Sequence, residues 1–215
     1  MMENKNIFED RLEASLYLMK VLPIESMRLE NWIVIATSTG GLPIAKEIAH
    51  KIGAHIDYMF TEKVMAPHNG ECEIAIVTEK EEVVIHEELV RSFDINLETI
   101  FIKAKERFEK ILVPTIRKYR DRPLSNLYEQ NVLLVDEGLN TGLTMMACIK
   151  TAIKLGAKSV SVATPVIPSA TVGDLESIAD DLYYYKAINH FVSIDFYYKN
   201  LEFIEMNKIE TYLKG

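Results

Sequence analysis

The chain is short of the residues that staple, anchor or split a protein. Only two of its 215 residues are cysteine, Cys72 and Cys148, and neither has a partner at metal-ligand spacing. A disulfide framework is thereby excluded, and a reducing cytoplasm is the expected compartment. No apolar run is long enough to cross a bilayer, and Met1 to Lys5 lacks the apolar core of a signal peptide. Positive charge is in deficit: 24 Lys and Arg stand against 32 Asp and Glu, a net charge of -8. That balance argues against nucleic acid and membrane surfaces as partners, while leaving room for a local phosphate pocket. The histidines, His50, His55, His68, His86 and His190, lack the paired spacing of a metal site, and only His68 falls in a candidate site loop. There is no internal repeat, no low-complexity linker, no Gly-x-x-x-x-Gly-Lys-Ser/Thr and no Gly-x-Gly-x-x-Gly.

What is present is an alternation of strands and helices. Hydrophobic residues make up 48% of the chain and charged ones 26%, enough for one full core. Phe8, Leu12, Leu16, Met19 and Leu22 predict an amphipathic helix over Ile7 to Leu22, ended by Pro23. Trp32 to Thr37 and Ile56 to Thr61 read as parallel strands around a helix from Leu42 to Ile52, stopped at Gly53. Glu62 to Glu71 reads as a polar loop, and Ile74 to Thr78 with Val83 to His86 as a hairpin. Glu87 to Arg120 is mostly helical, broken near Ser92 and resumed at Leu97. Its stripe Leu97, Ile100, Phe101, Phe108 and Leu112 is core by spacing. Strands follow near 132–136, 159–164 and 181–185, with a helix from Thr144 to Leu155. Pro165 and Pro168 open a loop before a short helix near Asp174. Phe191 to Phe196 reads as a further strand or edge, and Met206 to Leu213 as a closing helix. The expected architecture is a single α/β domain over 1–215, with a mostly parallel central sheet flanked by helices and a small hood or hairpin appendage.

Two strand–loop–helix junctions carry chemistry. Val132-Leu133-Leu134-Val135 is a buried strand, Asp136 and Glu137 stand at its exposed end, and Gly138-Leu139-Asn140-Thr141-Gly142 leads into a helix opening at Leu143 or Thr144. Loop amides at a helix N-terminus cradle an anion, and the adjacent acids suit a ribose diol. The stretch resembles the 5-phosphoribosyl-1-pyrophosphate (PRPP) motif of the type I phosphoribosyltransferases. The second junction, Thr37-Ser38-Thr39-Gly40-Gly41-Leu42-Pro43, is similar to that family's pyrophosphate loop. A subgroup of phosphoribosyltransferases of unassigned acceptor reads Pro-Arg-Gly-Gly-x-Pro here, so Thr39 stands where a basic residue would. Without the family, Ser38 or Thr39 is an ordinary helix cap. Phe8-Glu9-Asp10-Arg11, Lys63 with Ala66 to Glu71, and Phe196-Tyr197-Tyr198 extend the likeness more loosely.

The resemblance implies transfer of the phosphoribosyl group to a nitrogen acceptor, most simply a nucleobase, with release of pyrophosphate. Asp136 and Glu137 are its implied catalytic pair. Gly138, Leu139, Asn140, Thr141, Gly142 and Thr144 are its 5-phosphate site, and Ser38, Thr39, Gly40, Gly41 and Lys63 its pyrophosphate site. Mg2+ is the implied cofactor, arriving on PRPP and touching Asp136 at most. PRPP and a small acceptor are the implied partners, and a homodimer the implied assembly. The alternative is a non-catalytic PRPP- or nucleotide-binding regulatory protein; a generic sugar-phosphate module explains the completeness of 132–142 less well. Arg117, Arg120 and Arg122 read either as a phosphate-closing loop or, preferably, as a solvated helix end. Asp180-Asp181 reads as a surface acid pair. Tyr183-Tyr184-Tyr185 and Phe196 to Tyr198 are strand or hood packing before they are a base-stacking face.

Overall fold

Branched side chains on consecutive positions, as in Ile33-Val34-Ile35 and Val132 to Val135, suit strands buried on both faces. The computed structural model describes residues 7–67 and 69–214 and places them so. Met1 to Lys5 and His68 lie outside the described residues. The chain opens with α1 (Arg11–Met19) and the single turn α2 (Ile24–Met27), then β1 (Trp32–Ala36), α3 (Leu42–Ile52) and β2 (His55–Tyr58). Next come β3 (Thr61–Ala66), β4 (Asn69–Thr78), β5 (Val83–Ile85), α4 (Glu87–Ser92) and α5 (Leu97–Arg107). A π-helical turn at Phe108–Leu112 leads into α6 (Val113–Tyr119). The alternation resumes with β6 (Asn131–Val135), α7 (Leu143–Lys154), β7 (Ser159–Pro168), α8 (Ser169–Glu176) and β8 (Asp181–Ile188). Two 3-10 turns, Ile194–Tyr197 and Met206–Lys208, precede α9 (Ile209–Leu213).

The central sheet has the order β2-β1-β6-β7-β8, parallel throughout. One face, with Val34, Ala36, Leu133 and Val135, packs with α1, α3 and α9. The other, with Ile33, Ile35, Val132 and Leu134, packs with α7 and α8. Chain order reverses between β1 and β6, so the crevice beyond their carboxyl ends is the natural ligand position. β3, β4 and β5 form a separate antiparallel sheet, which packs under α4 and α5 around Val64, Ile74, Val77 and Ile100. Among the described residues no helix is long and apolar enough to cross a membrane.

Several expectations need correction. Glu62 to Glu71 is no loop: it holds most of β3 and the start of β4, turned at Pro67. Its polarity reflects a strand pair with one open face, and bulges beside Met65 break the alternation further. β7 runs through Pro165 to Pro168, and α8 starts at once. β6 ends opposite Ala163, so beyond that point one edge of β7 needs no ladder donor and proline is tolerated. Phe191 to Phe196 is not a strand; it turns into the 3-10 segment that crosses the sheet's carboxyl end. The first helix is shorter than expected because Phe8 bridges Tyr198 and Asp10 caps the helix through the Glu13 N–H. It buries Ala14, Ser15 and Leu18 and leaves Leu12 and Leu16 exposed. Small residues let α1 lie close against α3. In the α5 stripe Ile100 and Leu112 are buried, but Leu97 and Phe101 are half exposed. The narrow three-stranded sheet covers only the line Ile100–Ala104, and residues one step round the helix miss it.

Candidate active site

The chain leaves β1 at Ala36 and β6 at Val135, neighbouring positions of the same sheet edge. The two following loops therefore meet, and Asp136 joins them. Its Oδ2 accepts from the Thr37 hydroxyl at 2.7 Å, and its Oδ1 from the Ser38 hydroxyl at 2.5 Å and the Glu137 N–H at 2.8 Å. Asp136 is buried, not exposed as its place after the strand suggested. Burial, with the Glu137 charge beside it, pushes its carboxyl up to about 6, against the hydrogen bonds from Ser38 and Thr37 that hold it down. Gly41 fits tightly beneath: a Cβ there would lie 2.8 Å from the Val135 carbonyl oxygen and 3.0 Å from the Asp136 Cα. Ser38 also accepts from the Gly41 N–H at 3.0 Å, while Gly41 itself is the cap position of α3.

Glu137 turns the other way. Its carboxylate accepts from Arg11 Nε at 2.5 Å, and its backbone carbonyl accepts from the Tyr198 hydroxyl at 2.6 Å. Burial and the Glu137 charge push the Tyr198 phenol far up, so it stays a donor. The Glu137 carboxyl lies directly on Gly40, where an added Cβ would collide with it.

The loop after Glu137 is tied down at one point, the Leu139 N–H to the Val166 carbonyl at 3.1 Å. The amides of Asn140, Thr141 and Gly142 have no acceptor among the described residues. Gly142 caps α7 with φ of 77°, a left-handed conformation that glycine takes without steric cost. Amides without acceptors at the N-terminus of a twelve-residue helix are the kind of donors that can receive an anion.

The two loops open on a cavity of about 680 Å³. Of the residues singled out by sequence, Ser38, Thr39, Lys63, Asp136 to Gly142 and Thr144 line it. Gly40 and Gly41 lie behind, under Glu137 and against β6. Lys63 sits on β3, not in a loop, and pairs with Glu73 at 2.8 Å. Sequence reasoning missed Tyr58 at the end of β2, Thr61 at the start of β3, Cys72 on β4, and Ile194, Phe203, Ile204 and Met206 from the C-terminal segment. The Phe203-Ile204 pair, with Phe203 almost fully exposed, was the available signal for the last group. Arg11 was noted only as part of a helix opening; its partner is 126 positions away, beyond any local pattern.

None of the three arginines lines the cavity; Arg117 and Arg122 are exposed, as a solvated helix end implies, but Arg120 is not. Arg120 is buried and holds the Glu79 carboxylate and the Tyr58 carbonyl. Arg122 pairs with Asp57 at 2.8 Å. Burial alone would raise the Asp57 carboxyl, but Arg122 and Ser125 hold it below its usual value. Tyr183 and Tyr184 pack on opposite faces of the sheet, and Tyr185 packs against Tyr17 and Phe8. None of the three lines the cavity. Asp180 accepts from the Val160 N–H at 2.7 Å, and Asp181 is exposed.

Among the described residues no group of three or more His, Cys, Asp or Glu converges to hold a metal. The cavity's carboxylates are hard oxygen donors of the kind Mg2+ accepts. With so few of them free, such an ion would take most of its ligands from a bound phosphate.

Residues 23–199 match the family model described as phosphoribosyl transferase domain. Two Mycobacterium tuberculosis proteins bear the names "Putative phosphoribosyl transferase MT0597" (strain CDC 1551 / Oshkosh) and "Putative phosphoribosyl transferase Rv0571c" (strain H37Rv). Each is 28% identical over 181 residues, covering 82% of this chain and 39% of the relative. The chain thus spans about two fifths of the length of these curated relatives. The crystal structure of TT1426 from Thermus thermophilus superposes with a TM-score of 0.77 at 26% identity, over 96% of this chain and 97% of that one.

Proposed function

This chain belongs to the phosphoribosyl transferase domain family, and from that premise we propose that it transfers the phosphoribosyl group of PRPP to a nitrogen acceptor. The observation that supports the reading is the joining of two strand-to-helix loops by one buried carboxylate, around a cavity of about 680 Å³. The Asn140–Gly142 amides would take the 5-phosphate, the Ser38–Gly41 loop the diphosphate, and Glu137 the ribose hydroxyls between them. Asp136 serves by holding the loops in register, since its own oxygens are already occupied. In the reaction the acceptor nitrogen's lone pair forms the bond to C1, and the C1–O bond breaks with its electrons leaving on pyrophosphate. The acceptor's surplus proton goes to solvent or to a nearby base. The ring carries positive charge in the transition state, which neighbouring carboxylates favour. Mg2+, bound chiefly by the substrate's own oxygens, would neutralise the leaving diphosphate.

The acceptor would sit where Ile194, Phe203, Ile204 and Met206 wall the cavity, an apolar surface suited to a flat base. Pyrophosphate release from PRPP and Mg2+, measured across purines, pyrimidines and small amines, tests the reading. One observation favours a second reading, a non-catalytic PRPP- or nucleotide-binding regulator: no residue from Thr37 to Pro43 is basic. PRPP binding without pyrophosphate release on any acceptor would select it. Within either reading the chain works in the cytoplasm as a homodimer, supported by its cysteine usage and by the exposed apolar residues of α5.

A further inference from the structure

A triply phosphorylated sugar needs cations, and the cavity is poor in them. Its lining carries the acids Glu71, Glu73, Asp136 and Glu137 against Lys63, which Glu73 already neutralises. The 37–43 loop has no charge to add. One cation stands at its margin. Arg11, the first residue of α1, lines an adjoining hollow of about 400 Å³ that shares the Phe203–Ile204 wall with the main cavity. Its Nε donates to Glu137, its Nη1 to the Glu202 carbonyl at 2.8 Å, and its Nη2 has no acceptor among the described residues. The Glu137 carboxylate held by Arg11 is the same group that lies on Gly40. An anion therefore already occupies the open face of the 37–41 loop, and Arg11 is the partner of that anion.

We propose that Arg11 supplies the positive charge for the diphosphate end of the site, exchanging the Glu137 carboxylate for a phosphoryl oxygen when substrate arrives. The inference rests on the PRPP reading above. In the exchange Glu137 swings off Gly40 towards the ribose hydroxyls, and the vacated face takes the diphosphate. Only side chains need move. Asp10 caps α1, and Ala14 and Leu18 fix it in the core, so the guanidinium is delivered from a rigid base. A guanidinium suits the task because its fork can bind one anion while its other donors keep their places.

Calorimetric titration with inorganic pyrophosphate and, separately, ribose 5-phosphate tests this, each with and without Mg2+. Arg11→Gln should weaken pyrophosphate by roughly ten- to a hundredfold, the value of one charge-assisted hydrogen bond, and leave ribose 5-phosphate within about threefold. Arg11→Lys should fall between, since it keeps charge without the fork. Glu137→Gln should move the two probes in opposite directions, binding pyrophosphate more tightly and ribose 5-phosphate more weakly. That variant approaches the exchange from the other side, so a poorly folded Arg11→Gln would not shelter the idea. Wild-type protein that binds both probes, with Arg11→Gln unchanged or weakened equally for both, overturns the role of Arg11 and leaves the PRPP reading standing. Wild-type protein that binds neither probe overturns both.

Discussion

Asp136 faces opposite demands on one carboxylate. Ionised, it accepts from both Thr37 and Ser38 and donates nothing, yet burial penalises the charge. A carboxyl displaced from 3.8 to about 6 costs about 3 kcal/mol of folding free energy once ionised. Its folded value is raised, so the protein is favoured below pH 4 and loses that margin as pH rises through 6. Asp57, whose value is lowered, acts in the opposite sense and only below its ordinary range. The stability difference between wild type and Asp136→Asn should therefore change by about 2 kcal/mol between pH 4 and pH 7, in favour of wild type at the acid end. Urea unfolding at the two pH values measures it; a constant difference would mean that Asp136 titrates normally. The paired change Asp136→Asn with Glu137→Gln should weaken PRPP at least about tenfold by calorimetry, as the Glu137 contact of roughly 1.5–3 kcal/mol is lost and the loops lose the carboxylate that holds them in register. Thr141→Val should cost less, because the loop amides remain. Equal affinity in wild type and the double variant would remove the acidic pair from the site.

At the scale of elements, what positions the site is a buried ion network rather than a loop. Arg120, just beyond α6, reaches the Tyr58 carbonyl at the end of β2 and Glu79 just beyond β4, while Glu79 also accepts from the Phe60 N–H at 3.0 Å. This cluster pins the antiparallel sheet, and with it Lys63 and Glu73, to the carboxyl edge of the central sheet. Arg120→Ala leaves Glu79 charged and buried, so unfolding should be easier by about 3–5 kcal/mol. The double change Arg120→Met with Glu79→Leu should recover much of that loss; a double variant as weak as the single one would show that shape, not charge, was lost. The sequence could not announce this network, since an arginine among arginines at a helix end looks solvated until its partner, 41 positions away, is known. The parallel sheet was legible chiefly from β1, β6 and β7, whose apolar runs are each followed by a helix. β3 and the first part of β4 were not, because their open face is polar and breaks the apolar run. The same contrast holds in the site. The 136–144 loop declares itself in consecutive residues, whereas Arg11 and Phe203 reach it only through tertiary packing.

For the whole molecule, the question is what covers the antiparallel sheet. β5 is an edge strand of three residues, and beside it lies a groove of about 580 Å³ with an apolar floor including Val83, Ile85, Val90 and Ile95 and the charged residues Glu87, Arg91, Asp94 and Lys150 among its lining. Along α5, Leu97, Phe101 and Ile102 stand half exposed or more. An apolar row beside an open strand edge is a liability in a lone chain and an asset in a pair. A two-fold arrangement would place the row of one chain on the same row of its partner and leave both cavities open, since none of Leu97, Phe101 and Ile102 lines the cavity. The expected outcome is a homodimer, with a mass near twice 24.6 kDa by light scattering at high micromolar concentration. Phe101→Glu should shift that mass towards the single chain, because a charge buried at the seam has no partner there. PRPP affinity in the variant should stay within about twofold of wild type if each site is complete in one chain. A wild-type monomer at high micromolar concentration would refute the dimer. A Phe101→Glu monomer that no longer binds PRPP would show instead that pairing holds the antiparallel sheet, and Lys63 on it, in place over the site.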